Sequence, residues 1–119
     1  MFNEKNRVMR DTMNGIQLTE GMPFYSLHRD REKLFGKTVV VRGFLITKGE
    51  VYGSSVLLVI EPLDGVELLY LPERYVEEFK AFTDEEIKAI HEGHLALTDF
   101  HEGTNKYGQR YTSFKYLDR

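Results

Sequence analysis

Short β-rich runs dominate the chain after its first third, and each is punctuated by glycine, proline or aspartate. Lys37–Thr47 is rich in β-branched and aromatic residues and carries no proline, which predicts a strand. Alternation places Val39, Val41, Gly43 and Leu45 on one face and Thr38, Val40, Arg42, Phe44 and Ile46 on the other. Gly43 interrupts the run and predicts a bend or bulge. Ser54–Glu61 holds a continuous apolar stretch, Val56–Ile60, whose shortness and β-branching favour a strand over a buried helix. Val66–Leu71 follows the Leu63-Asp64-Gly65 turn as a third strand.

The period then changes. Tyr75, Val76, Phe79 and Phe82 recur at helical spacing, and Pro72 suits a first helical turn. Thr83-Asp84-Glu85-Glu86 is a capping-box pattern, so Pro72–Phe82 and Asp84–His91 read as two short helices broken at Thr83. Ile87 and Ile90 anchor the second, and Gly93 is expected to end it in a left-handed cap. His94–Phe100 and Arg110–Leu117 close the chain as strands, joined by a glycine-bearing loop, His101–Gln109. The order is β-β-β-α-β-β. Val39, Val41, Leu45, Leu57, Val59, Leu68, Phe79, Leu95 and Leu97 are expected to be buried. Parallel pairing is not expected.

Met1–Phe35 has weak periodicity. Its first dozen residues read as a disordered stretch or an interaction arm. Met22–Leu27 reads as a short strand or a plug at one end of the sheet.

Composition narrows the classes. The 119 residues suffice for one domain with a real core. Cysteine is absent, which removes disulfides, thiolate metal sites and a cysteine nucleophile. No apolar run suggests a leader peptide or a membrane span, so a cytoplasmic protein is expected. Glu61–Glu92 holds ten acids against Arg74, Lys80 and Lys88, net −7, which leaves +4 on the rest of a chain whose total is −3. An acidic helical face therefore opposes mildly basic strands and loops, an asymmetry that bears on partners.

Catalytic patterns do not appear. The phosphate-loop, dinucleotide, nucleophile-elbow and zinc-protease motifs are all missing. His91, His94, Asp99 and His101 offer metal-ligand chemistry, but His91 and His94 straddle a helix end and are expected in solvent. Glu77-Glu78 and Glu85-Glu86 are adjacent on helices and point apart, as a solvated face does. The reading is a protein without catalytic residues, metal or cofactor.

Gly36–Leu45, then Gly53, the apolar run and Pro62–Gly65, resembles the opening strands of OB-fold nucleic-acid-binding domains. The element order agrees with that family. The resemblance implies an all-β protein with one helical segment, a five-stranded Greek-key barrel over residues 36–119, with residues 1–35 as an arm, partly disordered or packed on the barrel. It further implies a ligand groove between the first and last hairpin loops. Non-specific single-strand binding needs cations for phosphates and flat rings for bases. Lys48 and Tyr52 in the first loop, Lys106, Tyr107, Arg110, Tyr111 and Lys115 in the last hairpin, and Arg42 on the first strand supply both. Phe44, Tyr70 and Phe114 are expected in the core, whereas Tyr52, Tyr107 and Tyr111 are expected to be exposed. The leading expectation is a single-stranded nucleic-acid partner, DNA before RNA. The alternative is a protein-interaction module that uses the acidic helical face or a sheet edge. A homodimer through a sheet edge or Met22–Leu27 is also expected.

Overall fold

In a computed structural model, residues 21–49 and 53–119 are described. They form one curled, barrel-like sheet with a few short helices. The strands are β1 (Tyr25–Ser26), β2 (Val39–Gly49), β3 (Gly53–Leu63), β4 (Val66–Leu71), β5 (Leu95–Thr104) and β6 (Arg110–Asp118). Their order across the sheet is β1-β4-β3-β2-β5-β6. The five longer strands follow the expected order, but the strand count is six rather than five. The sixth is β1, which pairs parallel with β4, Tyr25 opposite Leu69 and Ser26 opposite Tyr70. This corrects the expectation of no parallel pairing. The physical reason is an open edge: β4 would otherwise present unpaired backbone groups, and residues 22–27 cover it. Residues 27–35 pack as well, since Leu27 and Leu34 are almost fully buried in the main core. Residues 1–20 lie outside the described part.

Gly43 does mark a bulge, for the β2–β3 register shifts between Val41 and Gly43. The shift has a consequence that simple alternation misses. Val39 and Val41 face the core before it, and Phe44 and Ile46 face the core after it. Leu45 is thereby turned to the opposite face and is only half-buried, against expectation. Leu57, Val59 and Leu68 are buried as expected, yet in a second cluster with Met22, Leu45 and Tyr70 on the outer face of β2, β3 and β4. Val56, Leu58, Ile60, Leu69 and Leu71 alternate with them and build the main core. Strands that are apolar on both faces thus serve two layers, the cause of their near-continuous apolar sequence.

Asp64 and Gly65 both take positive φ between the paired Leu63 and Val66, a two-residue hairpin turn of the kind Asp-Gly favours. After β4, a 3-10 turn (Glu73–Tyr75) runs into α2 (Val76–Lys80), following the earlier α1 (Arg31–Leu34). Thr83 then caps α3 (Asp84–His91). Glu86 N–H donates to Thr83 Oγ1 at 3.2 Å, and Thr83 N–H donates to Glu86 Oε1 at 2.9 Å. Gly93, at φ +85°, ends α3 as His94 N–H donates to Ala89 O and Gly93 N–H to Ile90 O.

The sheet curls into a half-barrel that brings β6 to the residues after β1 and to the 3-10 turn. No ladder joins β1 to β6. Side chains close the seam instead. His28 Nδ1 lies 3.0 Å from Thr112 Oγ1, and Arg74 donates to the Thr112 carbonyl. Tyr75 stacks on Phe114 at 4.9 Å and meets Ser113 through its hydroxyl at 3.1 Å.

Candidate nucleic-acid interface

The β5–β6 hairpin carries five of the eight expected site residues. Its loop is short because β5 runs on to Thr104, so only residues 105–109 remain unpaired. Asn105 fastens it. Its side-chain oxygen accepts from Tyr107 N–H at 2.9 Å and Gln109 N–H at 3.0 Å, while its carbonyl accepts from Gly108 N–H. Gly108 takes φ +78°, a conformation that glycine adopts without strain. The loop is therefore a pinned turn rather than the flexible flap its glycines suggest. Tyr107 stands at the tip with 76% of its surface exposed, and Lys106 Nζ lies 5.1 Å from its ring centre. Arg110 is exposed at the start of β6. Tyr111 is more sheltered than Tyr107, because it lies across Gly103, where any Cβ would collide with it.

The 3-10 turn links this hairpin to the other one. A Cβ on Gly53, at the base of the β2–β3 hairpin, would sit 2.7 Å from Glu73 Oε2. The next residue, Arg74, reaches Thr112 and lies 4.8 Å from the Tyr75 ring and 5.9 Å from the Tyr111 ring. Lys48, exposed and paired with Ser54 next to Gly53, thus lies across this turn from Tyr111. Both hairpins flank the 3-10 turn.

Beside the turn, between β1, β3 and β4, lies a cleft of about 210 Å³, lined by Ser26, Leu27, His28, Ser55, Tyr70, Leu71, Pro72 and Arg74. Strand alternation and register place Ser26, Ser55, Tyr70 and Pro72 on the outer face here. Asp30 braces the β1 side by accepting from Ser26 N–H and from Arg29 Nε, both at 2.8 Å. Burial raises the Asp30 carboxyl, but the Arg29 and Ser26 hydrogen bonds and the Arg29 and Lys33 charges outweigh it. Its pKa is held below the ordinary value. Arg29 also lies over the Phe24 ring at 4.7 Å, and Phe24 meets Tyr70 edge-on at 5.0 Å.

Two expected residues lie apart from this end. Arg42 is six positions from Lys48 along β2, pairs with Glu61 at 3.5 Å, and packs against Gly93, where a Cβ would come 2.6 Å from its Nη1. Arg42 thus ties β2 to the end of α3 rather than lining a wall opposite the hairpin. Lys115 projects from mid-β6 and pairs with Asp99 at 3.4 Å. Tyr52 lies outside the described residues. Phe44 and Phe114 are core residues as expected, while Tyr70 is half-buried on the outer face.

Sequence reasoning missed His28, Ser55 and Arg74. His28 follows a strand of two residues with no readable period. Ser55 sits in a strand whose apolar run masks it, and Arg74 is swamped by neighbouring acids. Of the histidines weighed as ligands, His94 Nε2 faces Glu92 at 3.3 Å, and His101 Nδ1–H donates to the Asp99 carbonyl. Among the described residues no three His, Asp or Glu converge as a metal site. None of the described helices is long and apolar enough to cross a membrane.

Comparison with known proteins adds no relative. Protein-family models, curated proteins and solved structures give no match. Function is therefore argued from the geometry of this end of the sheet.

Proposed function

We propose that the protein binds single-stranded nucleic acid without catalysis, on an OB-like Greek-key sheet whose outer edge is completed by β1. The observation that carries this reading is the pinned β5–β6 turn, which offers Tyr107 to solvent between Lys106 and Arg110. Arg74, in the 3-10 turn, lies near Tyr111, and Lys48 lies on the other side of that turn. A ring held out by a rigid turn loses little freedom on stacking, and its cationic neighbours serve phosphates. The chain's net −3 charge does not oppose this, because its acids concentrate between Glu61 and Glu92.

The test is a fluorescence-anisotropy titration with labelled oligothymidylate and oligouridylate across a salt series. Binding should weaken steeply with salt. Lys106→Ala and Arg110→Ala should each flatten the log–log slope by about 0.7, the value expected for one released counterion on a single strand. No binding to either polymer at low salt refutes the reading.

A sheet-edge homodimer is a second reading. It is favoured by β6, which ends the sheet with Tyr116 and Leu117 about two-fifths exposed. Residues 22–27 pair within their own chain, so β6 is the edge this reading uses. Sedimentation at high concentration tests it, and a monomer there removes it.

A further inference from the structure

The five-strand plan has no counterpart to the cleft beside β1, because one of its walls is the added strand. Four observations define what the cleft can hold. Its volume of about 210 Å³ falls below the roughly 300 Å³ at which pockets begin to take drug-sized ligands, so it suits one planar ring system. Its floor is apolar: Leu27 and Leu71 are almost fully buried beneath it. Its rim is polar at separate points. Ser55 Oγ lies 2.6 Å from Thr47 Oγ1 in a hydroxyl pair, and His28, with Nδ1 engaged by Thr112, has Nε2 left for a ligand. A cation, Arg74, stands at the side that faces the β5–β6 hairpin.

An apolar floor with hydrogen-bonding groups at the rim matches a heteroaromatic ring, which is apolar on its faces and polar on its edges. The exit of the cleft matters as much. Tyr111, near Arg74, is four residues from Tyr107, at most about 13 Å along the chain. A ring in the cleft and a ring on Tyr107 can therefore belong to one chain whose phosphates pass Arg74, Arg110 and Lys106. A protein partner would place no regular anions on that path.

Resting on the single-strand reading above, we propose that this cleft captures one unpaired nucleobase of the bound strand. Its edge meets Ser55 and His28, and the adjoining phosphate meets Arg74. The base held here is the anchor of the complex, and the stacking on Tyr107 extends it.

The experiment is photo-crosslinking of the full chain with oligodeoxyuridylate carrying 5-iodouracil, mapped by mass spectrometry. It is paired with anisotropy on Ser55→Leu, whose larger side chain fills the cleft. Cross-links should fall at His28 or Tyr70 as well as at Tyr107. Ser55→Leu should weaken the oligonucleotide by about 5- to 150-fold, the worth of one stacked base, with only the small loss of stability that the deleted Thr47 contact brings. Tight binding with cross-links at Tyr107 alone overturns the base slot and leaves the single-strand reading standing. Failure of any oligonucleotide to bind overturns both. Free uridine monophosphate that suppresses the His28 or Tyr70 cross-link as well as the oligonucleotide does would reassign the slot to a free nucleotide, and the strand proposal would fall. Should Ser55→Leu not fold, the cross-link map on the unaltered chain decides alone.

Discussion

Thr112→Val is the sharpest probe of how this sheet is closed. Thr112 is 1% exposed, and its hydroxyl meets His28 while its carbonyl accepts from Arg74. Valine keeps the volume and the backbone contact and deletes only the hydroxyl. A net intramolecular hydrogen bond contributes about 0.5–1.5 kcal/mol. The penalty for an orphaned partner does not add to this, because His28 is exposed and its Nδ1 can turn to water. The expected loss is therefore about 1 kcal/mol, read as a lower urea midpoint at constant slope. The other seam contacts, Tyr75 on Phe114 and on Ser113 and Arg74 on the carbonyl, survive the change. A double-mutant cycle with His28→Ala isolates the contact, and the coupling should account for most of the single-variant loss. Zero coupling would show that the Tyr75 and Arg74 contacts hold the seam without it. A loss above about 3 kcal/mol would show that the hydroxyl has a buried partner besides His28.

Further outcomes follow from named contacts. Thr83→Ala should destabilise by about 0.5–2 kcal/mol in urea unfolding, since the capping box loses its acceptor, while Thr83→Ser should be nearly silent. Leu34→Ala should cost about 2–5 kcal/mol, because this residue ahead of β2 is fully buried; a neutral result would show that residues 21–35 are an appendage. Asp30 is held below its ordinary pKa, so its contribution is present above the unfolded carboxyl's pKa and fades as pH falls through the folded one. Acid titration of Asp30→Asn should lack that part of the fall. Tyr107→Ala should weaken oligonucleotide binding by about 1–3 kcal/mol and leave unfolding unchanged.

The readable parts of the chain are those with local causes. Thr83 and Glu86 cap a helix through contacts three residues apart, and Gly93 ends it with a conformation that its own lack of a Cβ permits. Asp64-Gly65 fixes a hairpin by the same kind of local rule. Gly43 announces the bulge, but its effect on facing is visible only once the register with β3 is known. A single skipped position sends Phe44 inward and Leu45 outward. The split of Leu57, Val59 and Leu68 into a second cluster follows from the same geometry, since a strand apolar on both faces carries no alternation to read.

The site was half legible for a related reason. Tyr107 is exposed because Asn105 and Gly108 build a turn around it, and both residues advertise a loop. The cleft, by contrast, is a product of curl. His28 and Thr112 stand 84 residues apart in sequence and meet only because the curl brings the residue after β1 to β6. No pattern within either segment encodes that meeting. It arises from the bulge in β2, from the shift between Thr98 and His101 in β5, where Asp99 takes φ +54°, and from the packing of Phe79 and Leu97 inside. The cleft is therefore coupled to the core in a way that the hairpin tip is not. Substitutions that flatten the curl should open the base slot while leaving Tyr107 displayed, and binding would then survive in a weaker form with its salt dependence intact.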